Sequence, residues 1–172
     1  AGAACRRAAA AGLANVTVFE GGAEELLEHY NHWDIGFGLH CCGSLTDLSQ
    51  KMCVEVGATY VIVPCCYGQV SKNGCRSQCL FEHLDCNDFS TIASAADFSV
   101  AADDEDFPTS EQFQVAKKCM MIVDADRNSW AAEAAGYSTS LESLFPLSCS
   151  PKNNLIVGVL KKHQGDDSYK NL

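Results

Sequence analysis

Short apolar runs alternate along this chain with stretches whose apolar residues recur at helical spacing. Residues 1–11 are helical by composition and are stopped by Gly12. Val16 to Phe19 is a short β-branched and aromatic run, which predicts a strand; Gly21, Gly22 and a helical AEELLEHY follow. In residues 34–39, Ile35, Phe37 and Leu39 alternate with Gly36 and Gly38. The glycines leave one face of that strand bare, open to close approach by a helix, another backbone or a ligand. Ser44 is placed as an N-cap, with Asp47 three residues on completing a box-like start. Leu45, Leu48, Met52 and Val56 then keep helical spacing up to Gly57, and Thr59 to Val63 is apolar on both faces.

Between residues 71 and 108 the pattern dissolves into small, polar and acidic residues, which predicts a long excursion with a few local turns, partly disordered. Helical spacing returns from about Glu111 to Ala135 and ends at Gly136. Residues 137–145 and 155–160 read as two strands joined by PLSCSPKNN, a loop too short for a crossover, so the pair should be antiparallel. Strand–helix alternation with buried strands predicts an α/β fold: a mostly parallel sheet covered by helices on both faces. In such sheets ligands bind beyond the carboxyl ends of the strands. Two cysteine pairs, Cys41-Cys42 and Cys65-Cys66, fall at such ends, which should set them side by side.

Composition changes this picture in three ways. The formal charge of −10 is uneven: nine carboxylates and no Lys or Arg lie between Glu82 and Glu111, leaving thirteen acids against all twelve bases elsewhere. An acidic stretch repels phosphate backbones, so that segment should not bind nucleic acid directly. The eleven cysteines are odd in number and include two adjacent pairs, which favours reduced thiols in a cytoplasmic protein over a disulfide scaffold. No run approaches a membrane span, and no signal peptide is visible. The opening AGAACRRAAAAGL is already helical without an initiator Met, and reads as the middle of a longer protein.

Four stretches, LHCCGSLTD, VPCCYG, DADRNSWAAEAAGY and SCSPKNNLIVGV, carry a family resemblance. Together they resemble the methyltransferase-like C-terminal half of the glutathione S-transferase C-terminal domain-containing proteins, within the Rossmann-like methyltransferases. The resemblance implies a class I methyltransferase sheet in which this chain supplies strands three to seven, the last antiparallel. The domain would cover residues 1–162, with the excursion at 71–108 and a polar tail at 163–172. It implies an S-adenosylmethionine-dependent methyltransferase that lacks its Gly-rich loop, so an upstream part of the same polypeptide would complete the site. A non-catalytic binding or scaffold module of that shape is the alternative. The methyl acceptor is open, with RNA ahead of protein and small molecules, and no membrane partner is expected. On that template Gly22, Ala23, Leu39, His40 and Gly43 face the cofactor; Tyr67, Lys152 and Asn153 are candidates for substrate.

Three readings of the cysteines stay open. His40, Cys41, Cys42, Cys65 and Cys66 are the catalytic candidates: a thiolate, ionised with help from His40, would attack a pyrimidine ring. Adjacent cysteines with His40 could instead contribute to a tetrahedral metal site, although the usual C-x2-C spacing is missing. A second grouping, Cys75, Cys79, His83 and Cys86, has suitable residue types without a common zinc spacing. The third reading is packing, since Cys is small and apolar and suits tight strand ends. Asp124, Asp126 and Arg127 read as a solvated or ion-paired helix face, and Asn154 with its neighbours as a turn before a strand.

Overall fold

In the computed structural model the chain divides into two compact units, residues 1–31 and 32–172. The residues described are 2–70, 74–80, 84–99 and 107–161. The first unit holds two helices, α1 (Gly2–Ala10) and α2 (Ala23–His29), neither with a buried residue. Within it the Phe19 ring packs against His29 and Tyr30, with centroids 5.2 and 6.4 Å away. The expected strand at Val16 to Phe19 does not form. A run of four gains a strand's stability only by pairing, and among the described residues this one has no strand beside it.

The second unit is a small α/β fold: β1 (Ile35–Cys41), α3 (Ser44–Val56), β2 (Thr59–Pro64), α4 (Cys86–Ala96), α5 (Glu111–Ala135), β3 (Tyr137–Ser143) and β4 (Asn154–Leu160). Its four strands are ordered β1-β2-β4-β3. Among the described residues only β1 and β2 run parallel; β4 is antiparallel to both its neighbours, so the sheet is mixed. The five-stranded Rossmann methyltransferase sheet is thereby corrected to four strands. Helix α4 occupies part of the acidic stretch that was expected to hold only turns. The Asp85 carboxylate accepts from the Asn87 and Asp88 amides and starts that helix. Phe89, Ala93 and Ala96 then bury its inner face, together with Ala116, Met120 and Val123 of α5.

Helices on both faces of the sheet were expected, yet α3 and α5 share one face. Cys53 of α3 and Ala131 of α5 join Tyr60, Ile62, Tyr137 and Ile156 in a single core cluster. The register explains which side chains meet them, because Gly36 pairs with Tyr60, Gly38 with Ile62, and Tyr60 with Gly158. A Cβ at Gly36 would strike the Cys53 thiol, so the bare face of β1 is where α3 seats. The alternate residues point the other way, and Ile35, Phe37 and Leu39 are 50, 77 and 69% exposed.

Both core helices end in a left-handed glycine, Gly57 and Gly136. No described helix is long and apolar enough to cross a membrane.

This one-sidedness predicts a contrast between substitutions. Ile62→Ala, at a fully buried position, should cost about 2–5 kcal/mol in urea denaturation. Phe37→Ser should change stability by no more than about 0.5 kcal/mol.

Candidate functional site

Strands β1 and β2 carry the two cysteine pairs to one edge of the sheet. Leu39 pairs with Val63 but Cys41 pairs with Pro64, so β1 spends one residue more than β2 at that step. The extra residue is His40, which sits at a φ of 56, the left-handed region. Strict alternation would turn His40 toward the helices and Cys41 away from them. The bulge reverses this: Cys41 enters the core, and His40 is left exposed. Gly43 follows with a φ of 53.

Each thiol thus acquires its own surroundings. Cys41 is buried, its Sγ 3.9 Å from the Ser49 hydroxyl, and burial pushes its pKa up. Cys42 is exposed, with its Sγ 2.9 Å from that of Cys65, and Cys65 Sγ is 3.7 Å from Cys66 Sγ. All three sulfur atoms lie within 4.8 Å of one another. Hydrogen bonds from Cys65 and then Cys66 hold the Cys42 thiol below its ordinary value. Burial, with donation to Cys42 and Cys66, pushes Cys65 up to about 12. Donation to Cys42 comes first in raising Cys66, with burial second. The Gly43 amide donates to the Cys66 carbonyl at 3.1 Å, which latches the two loops together. All eleven cysteines of the chain are free thiols.

A buried polar cluster on α5 holds these loops from behind. Arg127 donates from Nε to Asp47 at 2.8 Å, from Nη1 to Asp124 at 3.2 Å, and from Nη2 to the Gly43 carbonyl at 3.4 Å. Tyr67 Oη and Asn154 Nδ2 donate to the other Asp124 oxygen at 2.8 and 2.7 Å. Asp126 accepts from the Arg76 and Ser77 amides, and Arg76 reaches Asp47 and Gln50. Burial opposes charge on Asp124 and raises its pKa against the pull of Arg127. Arg127 is also desolvated, but Asp47 and Asp124 together hold its pKa above the usual guanidinium value. The helix face expected to be solvated or ion-paired is ion-paired and buried: Asp124, Asp126 and Arg127 are each at most 1% exposed. Charged groups tolerate such burial only when paired.

The remaining candidates are dispersed. Tyr67 is fully buried, with the Lys152 ammonium 5.1 Å and the Arg127 guanidinium 5.7 Å from its ring centroid, so its burial leaves the ring closed to a stacking substrate. Lys152 donates to the Ala96 carbonyl at 2.8 Å and lies 3.6 Å from Asp97. Burial lowers its pKa, while Asp97 and the thiols of Cys66 and Cys65 favour its charge. Asn153 is buried, donates to the Leu147 carbonyl, and with Asn154 receives the Lys117 ammonium. Leu39 is exposed, on the face of the sheet opposite α3 and α5. Gly22 and Ala23 open α2 in the first unit. Of the second cysteine grouping, Cys79 and Cys86 are exposed and Cys75 half-buried, while His83 lies outside the described residues. Sequence reasoning singled out Asp124, Asp126 and Arg127 but missed their burial, and the signal was the Asp-Ala-Asp-Arg-Asn run directly following the apolar residues 119–123.

Fold and site together define a mixed-sheet α/β module with three thiols at the carboxyl edge of its parallel pair. The human glutathione S-transferase C-terminal domain-containing protein is 35% identical over 152 residues, which is 86% of this chain and 23% of that protein. The Xenopus laevis protein of the same name is 38% identical over 128 residues, 72% of this chain and 20% of its own. The Drosophila melanogaster homolog is 36% identical over 128 residues, again 72% of this chain and 22% of the relative. The chain therefore spans less than a quarter of the length of these curated relatives. No family model and no solved structure matches. None of the relatives is named a methyltransferase, and nothing else points to that group, so the methyltransferase reading is overturned.

Two measurements test this geometry. Because the thiolate is the reacting form, Cys42 should be alkylated by iodoacetamide at lower pH than an ordinary cysteine, with Cys65 and Cys66 lagging; peptide mass mapping reads the order. Arg127→Met should cost about 3–5 kcal/mol in urea denaturation, because it strands the Asp124 carboxylate in the interior.

Proposed function

We propose that this module binds a soft or borderline metal ion, zinc(II) or copper(I), through the thiolates of Cys42, Cys65 and Cys66. One observation carries the reading: the three sulfur atoms lie within 4.8 Å of one another on two loops latched by a backbone hydrogen bond. In a tetrahedral zinc–thiolate site the metal–sulfur distance is about 2.3 Å, which separates neighbouring sulfurs by about 3.8 Å. The Cys65–Cys66 spacing of 3.7 Å already matches, and Cys42 and Cys65, 2.9 Å apart, need only part slightly around an ion. Cys42 is exposed, so a fourth position would open to solvent, as at zinc sites that admit water or another ligand. Soft thiolates favour zinc and copper(I) over magnesium or calcium. Lys152, whose charge is favoured by the thiols at 65 and 66, would offset part of the negative charge of three thiolates.

The experiment is equilibrium dialysis of the reduced protein against zinc, with the metal counted by mass spectrometry. One ion per chain is expected, and Cys42→Ser or Cys65→Ser should weaken binding at least about tenfold, or about 1.4 kcal/mol. Cys119→Ser and Cys149→Ser should leave it unchanged. Undiminished binding after all three of Cys42, Cys65 and Cys66 are replaced would move the metal elsewhere and overturn the proposal.

A further inference from the structure

The closest pair among these thiols supports more than metal binding. Cys42 Sγ and Cys65 Sγ lie 2.9 Å apart, one residue beyond the pairing of Cys41 with Pro64 on adjacent parallel strands. A disulfide bond is about 2.05 Å long, so the two atoms are within about 1 Å of bonding distance. The two loops are already joined at Gly43 and Cys66, which limits the backbone movement that closure requires. The thiols also differ in access, with Cys42 exposed and Cys65 half-buried. Cys65 and Cys66 are adjacent in the chain, where a bridge would strain the backbone between them. Cys66 is therefore the bystander of the three.

We infer that Cys42 and Cys65 are a redox couple that undergoes thiol–disulfide exchange with small-molecule disulfides, with Cys42 as the attacking and Cys65 as the resolving thiol. In the first step the Cys42 thiolate attacks one sulfur of the disulfide RSSR. The S–S bond breaks, one RS⁻ leaves and takes a proton from water, and a mixed disulfide remains on Cys42. In the second step Cys65, giving its proton to solvent, attacks Cys42 Sγ and expels the second RS⁻. Two protein thiols are oxidised and one disulfide is reduced to two thiols, so atoms and electrons balance without a further oxidant. The exchange itself stands on the Cys42–Cys65 geometry alone. Its consequence for metal rests on the reading above: closing the bridge consumes two of the three ligands, so oxidation would release the ion.

The test exposes the full, metal-free chain to mixtures of oxidised and reduced glutathione, followed by alkylation and peptide mapping. The expected product is a Cys42–Cys65 linked peptide that forms at least tenfold faster than any other bridge. Cys65→Ser should stall as a glutathione adduct on Cys42. Absence of the 42–65 link under conditions that modify exposed Cys149 would overturn the inference, as would a dominant 65–66 bridge. A parallel arm with zinc separates the two proposals. A 42–65 link whose rate zinc leaves unchanged rejects the metal site and supports the couple. Zinc binding without the link rejects the couple alone.

Discussion

Arg127 is the residue on which the arrangement at the sheet edge depends. A buried guanidinium is expensive to desolvate, and Asp124 and Asp47 offset that cost only because the geometry lets each carboxylate face it directly. The same cation reaches the Gly43 carbonyl, while its partner Asp124 gathers Tyr67 and Asn154. One helix thereby pins the loop after β1, the loop after β2 and the start of β4. Hydrophobic packing alone would hold these segments near one another without fixing their relative rotation. Directional charge-assisted hydrogen bonds fix it.

Against that fixed background, one extra residue decides which cysteines become available. The bulge at His40 turns Cys41 into the core beside Ile62 and sends Cys42 out toward Cys65. A period of two means that a one-residue insertion swaps the faces of everything after it. A non-glycine residue in the left-handed region costs free energy, so the loop must be held there by its surroundings. The latch from Gly43 to Cys66 and the Arg127 contact supply that hold. Two adjacent cysteines of identical chemistry thus end in opposite environments, one a small apolar core residue and the other an exposed thiol held below its ordinary pKa by its neighbours.

The sheet tells a related story. Both α3 and α5 pack on the face where Gly36, Gly38 and Gly158 make room, and the apolar alternation of β1 is left facing outward. The alternation of apolar residues with glycine predicts a strand with one bare face open to a helix, and α3 seats on that face. The larger apolar residues face solvent here, while the glycines face the helices.

Local signals were strong wherever the chain itself supplied both halves of an interaction. Helix α3 stops before Gly57 and α5 (Glu111–Ala135) before Gly136, because spacing and terminating glycines are properties of neighbouring residues, whereas the N-cap expected at Ser44 falls on Gly43 with no side-chain cap. The short loop between the last two strands likewise required an antiparallel pair. A strand at Val16 to Phe19 did not follow, since a strand exists only through a partner that local sequence does not name. Nor could spacing reveal that Asp124 and Arg127 are buried, because their compensating groups lie on four other segments. For the thiols, sequence placed both pairs at strand ends. Only the bulge and the polar cluster behind it chose Cys42, Cys65 and Cys66, because side-chain direction after a register slip is set by what the tertiary structure packs against it.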